Sequence, residues 1–121
     1  MRTLEGHTDN VWCLAMLANG QLASGANDNS IKIWDVEIGA EVKTLKGHTD
    51  CVFALAALPN GQLASVSGDH SVKIWDVATG AEVRTLDGHT DAVVALAALP
   101  NGQLASGSTD HSIRVWGARR A

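Results

Sequence analysis

Short apolar runs are separated by polar turns rich in Gly, Asn and Asp, and no stretch sustains a helical apolar period. That pattern predicts strands and turns. Residues 52–58 and 62–67 flank Asn60-Gly61, which fits a tight hairpin because both residues accept positive φ at low cost. Asn19-Gly20 and Asn101-Gly102 sit between equivalent apolar runs. A second polar turn, Gly68-Asp69-His70, leads into a β-branched strand over residues 71–77, and the turn at 78–81 leads into another over 82–86. Pro59 and Pro100 stand at hairpin edges, where a missing N–H does little harm. The expected fold class is all-β.

This succession of elements returns at a constant step along the chain. Gly6-His7-Thr8-Asp9 recurs from Gly47 and from Gly88, and Trp34, Trp75 and Trp116 keep the same spacing. Residues 1–41 and 42–82 match at 26 of 41 positions without a gap. The third copy, 83–121, departs after Trp116. The chain is therefore expected to form a single array of three repeats, each of four strands.

Gly-His near the start and Trp-Asp near the end of each repeat resemble the WD-repeat β-propeller family. The resemblance rests on Gly6-His7 with Trp34-Asp35, Gly47-His48 with Trp75-Asp76, and Gly88-His89 with Trp116, where Gly117 stands in place of Asp. It implies four-stranded antiparallel blades packed face to face around a channel. It also implies a structural hydrogen-bond chain from Asp to His to Ser to the indole N–H. The members would be His7, Ser24, Asp28 and Trp34; His48, Ser65, Asp69 and Trp75; His89, Ser106, Asp110 and Trp116. The physical logic holds independently: a buried Trp needs an acceptor, and Ser accepts from Trp while donating to His. A Ser/His/Asp hydrolase is the alternative reading of these residue types. A nucleophile is needed once per active site, however, whereas this set recurs three times and always with a Trp. No catalytic residue is expected.

Composition narrows the partners. A net charge of −4 and a pI of about 5.6 argue against a nucleic-acid surface, which needs clustered Lys and Arg. The longest apolar runs, 11–18 and 92–99, fall far short of the roughly 20 residues that cross a bilayer. No signal-peptide core opens the chain. Cys13 and Cys51 occupy non-equivalent repeat positions and form no close-spaced pair, so buried free thiols in a reducing, cytoplasmic setting are expected. His70 and His111 fall in matching turns, with Asn29 in the first copy, and read as solvated turn residues. No metal or cofactor is expected, and Arg119-Arg120 reads as a solvated terminus or an inter-chain contact.

Three blades are too few for one ring, since propellers use roughly four to eight. The expectation is self-association, with two chains giving six blades and three giving nine; small Ala and Val near the inner strands favour the homotrimer. Residues 2–4 align with the outer strands at 43–45 and 84–86, so they are expected to be a strand that completes the last blade of a neighbouring chain. The first repeat is the most acidic and the third the most basic, which suits a head-to-tail contact. The repeats differ at Asn10, Trp12 and Asn27; at Cys51, Phe53 and Gly68; and at Ala92, Val94 and Thr109. The resemblance places these positions on a face that binds partners, with Trp12 and Phe53 the most suggestive. The function expected is that of a self-assembling, non-catalytic protein-interaction scaffold or structural module, engineered or recently duplicated. The alternative is a piece of a larger propeller.

Overall fold

Eleven strands carry the chain in the computed structural model, which describes residues 3–17, 19–99 and 102–117. The first sheet is the antiparallel meander β1 (Val11–Met16), β2 (Leu22–Ala26), β3 (Ile31–Asp35) and β4 (Ala40–Leu45). The second repeats it as β5 (Val52–Ala57), β6 (Gln62–Ser67), β7 (Val72–Asp76) and β8 (Ala81–Leu86). The third has three strands among the described residues, β9 (Val93–Ala98), β10 (Leu104–Ser108) and β11 (Ile113–Trp116). Register is conserved between sheets: Leu22 lies opposite Trp34, Leu63 opposite Trp75, and Leu104 opposite Trp116. Each innermost pair also skips one residue, namely Trp12, Phe53 or Val94, as a β-bulge does.

The turns explain the punctuation. Asp35 Oδ1 accepts the N–H of Glu37, and Asp76 Oδ1 that of Ala78, each at 3.0 Å, so the Asp after each Trp caps the turn into the outer strand. Gly117 stands at that position in the third repeat. The Asn-Gly hairpin differs from the two-residue turn expected from the sequence. Leu17 N–H bonds Gln21 O at 2.9 Å, Gly20 N–H bonds Leu17 O at 3.0 Å, and Gly20 takes a left-handed φ of 89°. This is a longer loop closed by a left-handed Gly, and the Asn19 carboxamide oxygen caps the N–H of Gln21 at 2.9 Å. Pro100 and Asn101 of the third hairpin lie outside the described residues.

The strand expected at residues 2–4 is not seen. Arg2 lies outside the described residues, and Thr3 and Leu4 belong to no ladder. A strand exists only against a partner edge, and these residues have none beside them in this arc.

The sheets stack through two apolar layers. Between the first and second lie Ala23, Ile31, Ile33 and Leu45, met by Val52, Leu63, Trp75 and Val77. Between the second and third lie Ala64, Val66, Val72 and Ile74, met by Val93 and Leu104, with Trp116 at the margin. The two ends of the arc carry the same residue types uncovered. Leu14 and Met16 are 61% and 62% exposed on the first sheet, and Ile113 and Val115 are 78% and 59% exposed on the third. The repeat equivalents of that second pair, Ile31 with Ile33 and Val72 with Ile74, are all buried.

Candidate functional site

Each repeat brings its His, Ser, Asp and Trp into one chain of hydrogen bonds. In the second sheet, Asp69 Oδ2 lies 2.8 Å from His48 Nδ1, His48 Nε2 lies 2.6 Å from Ser65 Oγ, and Trp75 Nε1–H donates to Ser65 Oγ at 2.8 Å. The first sheet gives 3.0, 2.7 and 2.8 Å for His7, Ser24, Asp28 and Trp34. The third gives the same three distances for His89, Ser106, Asp110 and Trp116. Donor logic fixes the proton positions. The carboxylate only accepts, so Nδ1–H donates to it; Nε2 of the neutral ring then accepts from the Ser hydroxyl, whose oxygen takes the indole N–H.

Sheet geometry positions these groups. Ser65 on β6 and Trp75 on β7 are diagonal neighbours, two positions apart along one ladder, while His48 and Asp69 arrive from two loops at one end of the sheet. Gly47 precedes His48 because the indole edge passes beneath it: a Cβ there would sit 2.9 Å from Trp75 Cη2 and 2.8 Å from Glu82 Oε1. The Gly-His pair is therefore a packing requirement of the Trp. Ser65 and Ser106 are 0% and 1% exposed, out of reach of a substrate.

The sequence reading missed part of this chain. Ser71 Oγ–H donates to Asp69 Oδ1 at 2.5 Å, and the backbone N–H of Thr49 reaches Oδ2 at 3.0 Å. Ser30 and Ser112 do the same for Asp28 and Asp110. The recurrent Asp-x-Ser spacing was the available signal, since it favours an Asx turn. Burial alone would raise the Asp69 carboxyl, but the hydrogen bonds from Ser71, His48 and Thr49 outweigh it and hold it below its ordinary value. Asp28 is depressed in the same way, and Asp110 chiefly by Ser112. Burial lowers His48, against the pull of Asp69.

The positions where the repeats differ gather at the same end of the sheets. Asn27 N–H bonds Asn10 O at 2.8 Å, Gly68 N–H bonds Cys51 O at 3.0 Å, and Thr109 N–H bonds Ala92 O at 3.0 Å. Trp12, Phe53 and Val94 are the bulge residues beside them. The Trp12 and Phe53 rings stand 6.1 Å apart, tilted by 57°. His70 and His111 take left-handed φ of 76° and 73° on exposed turns, as Asn29 does at 72°. Cys13 and Cys51 are free, and burial raises the Cys13 thiol to about 11. Among the described residues, no group of three or more His, Cys, Asp and Glu is arranged to hold a metal ion. No helix among them is long and apolar enough to cross a membrane.

Antiparallel sheets stacked face to face, each with its own Asp–His–Ser–Trp chain, define a protein built of propeller-type blades. The family model described as WD domain, G-beta repeat matches residues 1–35, 39–76 and 80–117, and the chain belongs to this WD40 family. It is 46% identical over 43 residues to a probable E3 ubiquitin ligase complex SCF subunit, sconB, of Emericella nidulans. That match spans 36% of this chain and 6% of the relative. Two solved structures, described as the structure of U3-55K and the crystal structure of RRP9 WD40 repeats, each superpose with a TM-score of 0.86 at 41% identity. Each match takes in 93% of this chain and 35% of the solved one.

Proposed function

We propose that this chain is a non-catalytic protein-interaction module that works within a closed ring of blades, the ring being completed by further copies of itself. One observation carries the self-association. Ile113 and Val115 are 78% and 59% exposed, while Ile31, Ile33, Val72 and Ile74, the same positions in the other blades, are at most 8% exposed. Inside the arc those positions are covered by the Trp-bearing face of the next blade, and the first blade holds such a face uncovered at Leu14 and Met16. The repeat thus specifies its own partner surface, and a contact between one chain's third blade and another's first reproduces an interface already present twice. Such a head-to-tail contact must close or grow into filaments.

The edge of β11 that has no partner among the described residues suits residues 2–4 of a neighbouring chain, whose counterparts β4 and β8 pair with β3 and β7. Three chains with nine blades are favoured over two with six. Free thiols at Cys13 and Cys51 suit a reducing, cytoplasmic compartment. The non-catalytic reading rests on Ser hydroxyls that are buried and already bonded on both sides. A second reading, part of a larger propeller whose further blades cover both ends, is favoured by the 35% share of the solved relatives that the chain spans. The solution mass, measured against the 12.7 kDa of one chain, tests the two. Three times that mass supports the nine-bladed ring and twice that mass the six-bladed one. A stable monomer supports the larger propeller.

A further inference from the structure

The mouth between the first two blades holds a feature that the repeat does not need in order to fold. Trp12 is 51% exposed at the bulge of β1, with Phe53, the bulge residue of β5, beside it. Its orientation is fixed: Trp12 Nε1–H donates to Asn27 Oδ1 at 3.3 Å, and Asn27 Nδ2–H donates to Asp9 Oδ2 at 3.0 Å. The Cys51 thiol donates to the same Asn27 oxygen, tying the second blade to the network. In the other repeats Gly68 and Thr109 replace Asn27, and Phe53 and Val94 replace Trp12, yet those blades form with the same register. The network therefore serves to hold an exposed indole still.

The surroundings select the ligand. Asp9, Asp50 and Asp91 stand at the entries to the inner strands, and Lys46 is the one Lys or Arg in the described loops at this end of the blades. An anion is repelled there, and a neutral apolar group gains nothing from the carboxylates. A cation stacked on an indole is attracted by both the ring face and the acidic rim. We infer that this mouth binds a cationic side chain, an arginine presented by a partner polypeptide, stacked on the exposed face of Trp12, with the Phe53 ring packed against the indole from the second blade and Asp9 at its edge. This names the chemistry of the partner in the interaction module proposed above. It lies within two blades of one chain, so it does not depend on the ring.

The test is a titration of the purified chain with the capped tripeptide Ala-Arg-Ala, followed by calorimetry and tryptophan fluorescence. The same peptide with citrulline, which keeps the shape and loses the charge, is the control. Binding about tenfold tighter for arginine is expected, weakening as salt is raised. Trp12→Leu should abolish it. Asn27→Gly, which installs the residue of the second repeat and should leave the fold intact, should weaken it several-fold. Equal binding of the citrulline peptide, undiminished binding to Trp12→Leu, or no binding at millimolar peptide would overturn the inference. A monomer that still binds arginine would refute the ring and leave this site standing.

Discussion

Replacing His48 with alanine removes an imidazole whose residue is 6% exposed and which is bonded at both nitrogens. The consequences fall unequally on its neighbours. Asp69 keeps Ser71 and the Thr49 N–H, so its carboxylate stays solvated by the protein. Ser65, 0% exposed, keeps the indole N–H as donor to its oxygen but loses the acceptor for its own hydroxyl. Leaving that buried donor unmet costs about 1–3 kcal/mol, and the void left by the ring brings the total to roughly 2–4 kcal/mol. For a domain of this length each kcal/mol moves the melting temperature by about 3–5 °C, so a fall of about 6–20 °C is expected. Differential scanning calorimetry at neutral pH measures it, with His70→Asn as the control. His70 is exposed at a left-handed φ of 76°, and asparagine occupies the matching position at Asn29, so that variant should melt within about a degree of the parent. Equal melting of the two variants would refute the claim that the hydrogen-bond chain stabilises the blade.

Three further outcomes follow from the same geometry. Acid should unfold the protein in two stages. Folded His48 binds its proton less readily than the unfolded residue, so stability is full above its ordinary 6.5 and falls as pH drops below it. Asp28, Asp69 and Asp110 are held below their ordinary 3.8, so their contribution is lost on acidification below that value; a melting temperature flat from pH 7 to pH 4.5 would contradict the first stage. Gly47→Ala should cost about 1–3 kcal/mol, because its Cβ would fall 2.9 Å from the Trp75 ring, and an unchanged urea midpoint would show that the indole has room to shift. In the ring proposed above, Leu14→Glu and Ile113→Glu should each reduce the solution mass, and mixing the two should restore a single contact and give a dimer. Unaltered masses on light scattering would exclude these faces as the interface.

Much of this protein is legible along the chain because its information is local and repeated. The constant step between repeats, the strand-turn alternation and the His, Ser, Asp and Trp of each repeat all stand in the sequence, since turn chemistry and a buried indole each demand particular residue types at fixed spacing. Asp76 caps its turn through a bond two residues long, and nothing distant is needed to foresee it. The shape of the Asn-Gly loop was less accessible. Its flanking residues pair as Leu17 with Gln21, which makes a loop longer than two residues with Gly20 in the left-handed conformation.

Tertiary structure decided what lies against what. Strands here are apolar on both faces, and an alternation of period two cannot say which face another blade covers. Ile31 and Ile113 are the same residue at the same repeat position, yet one is buried and the other is 78% exposed, because only the first has a blade packed over it. Thr3 and Leu4 read as a strand, but an extended segment becomes one only when an edge is beside it. The network from Asp9 through Asn27 to Trp12 and Cys51 spans two repeats, so its members converge only once the sheets have stacked.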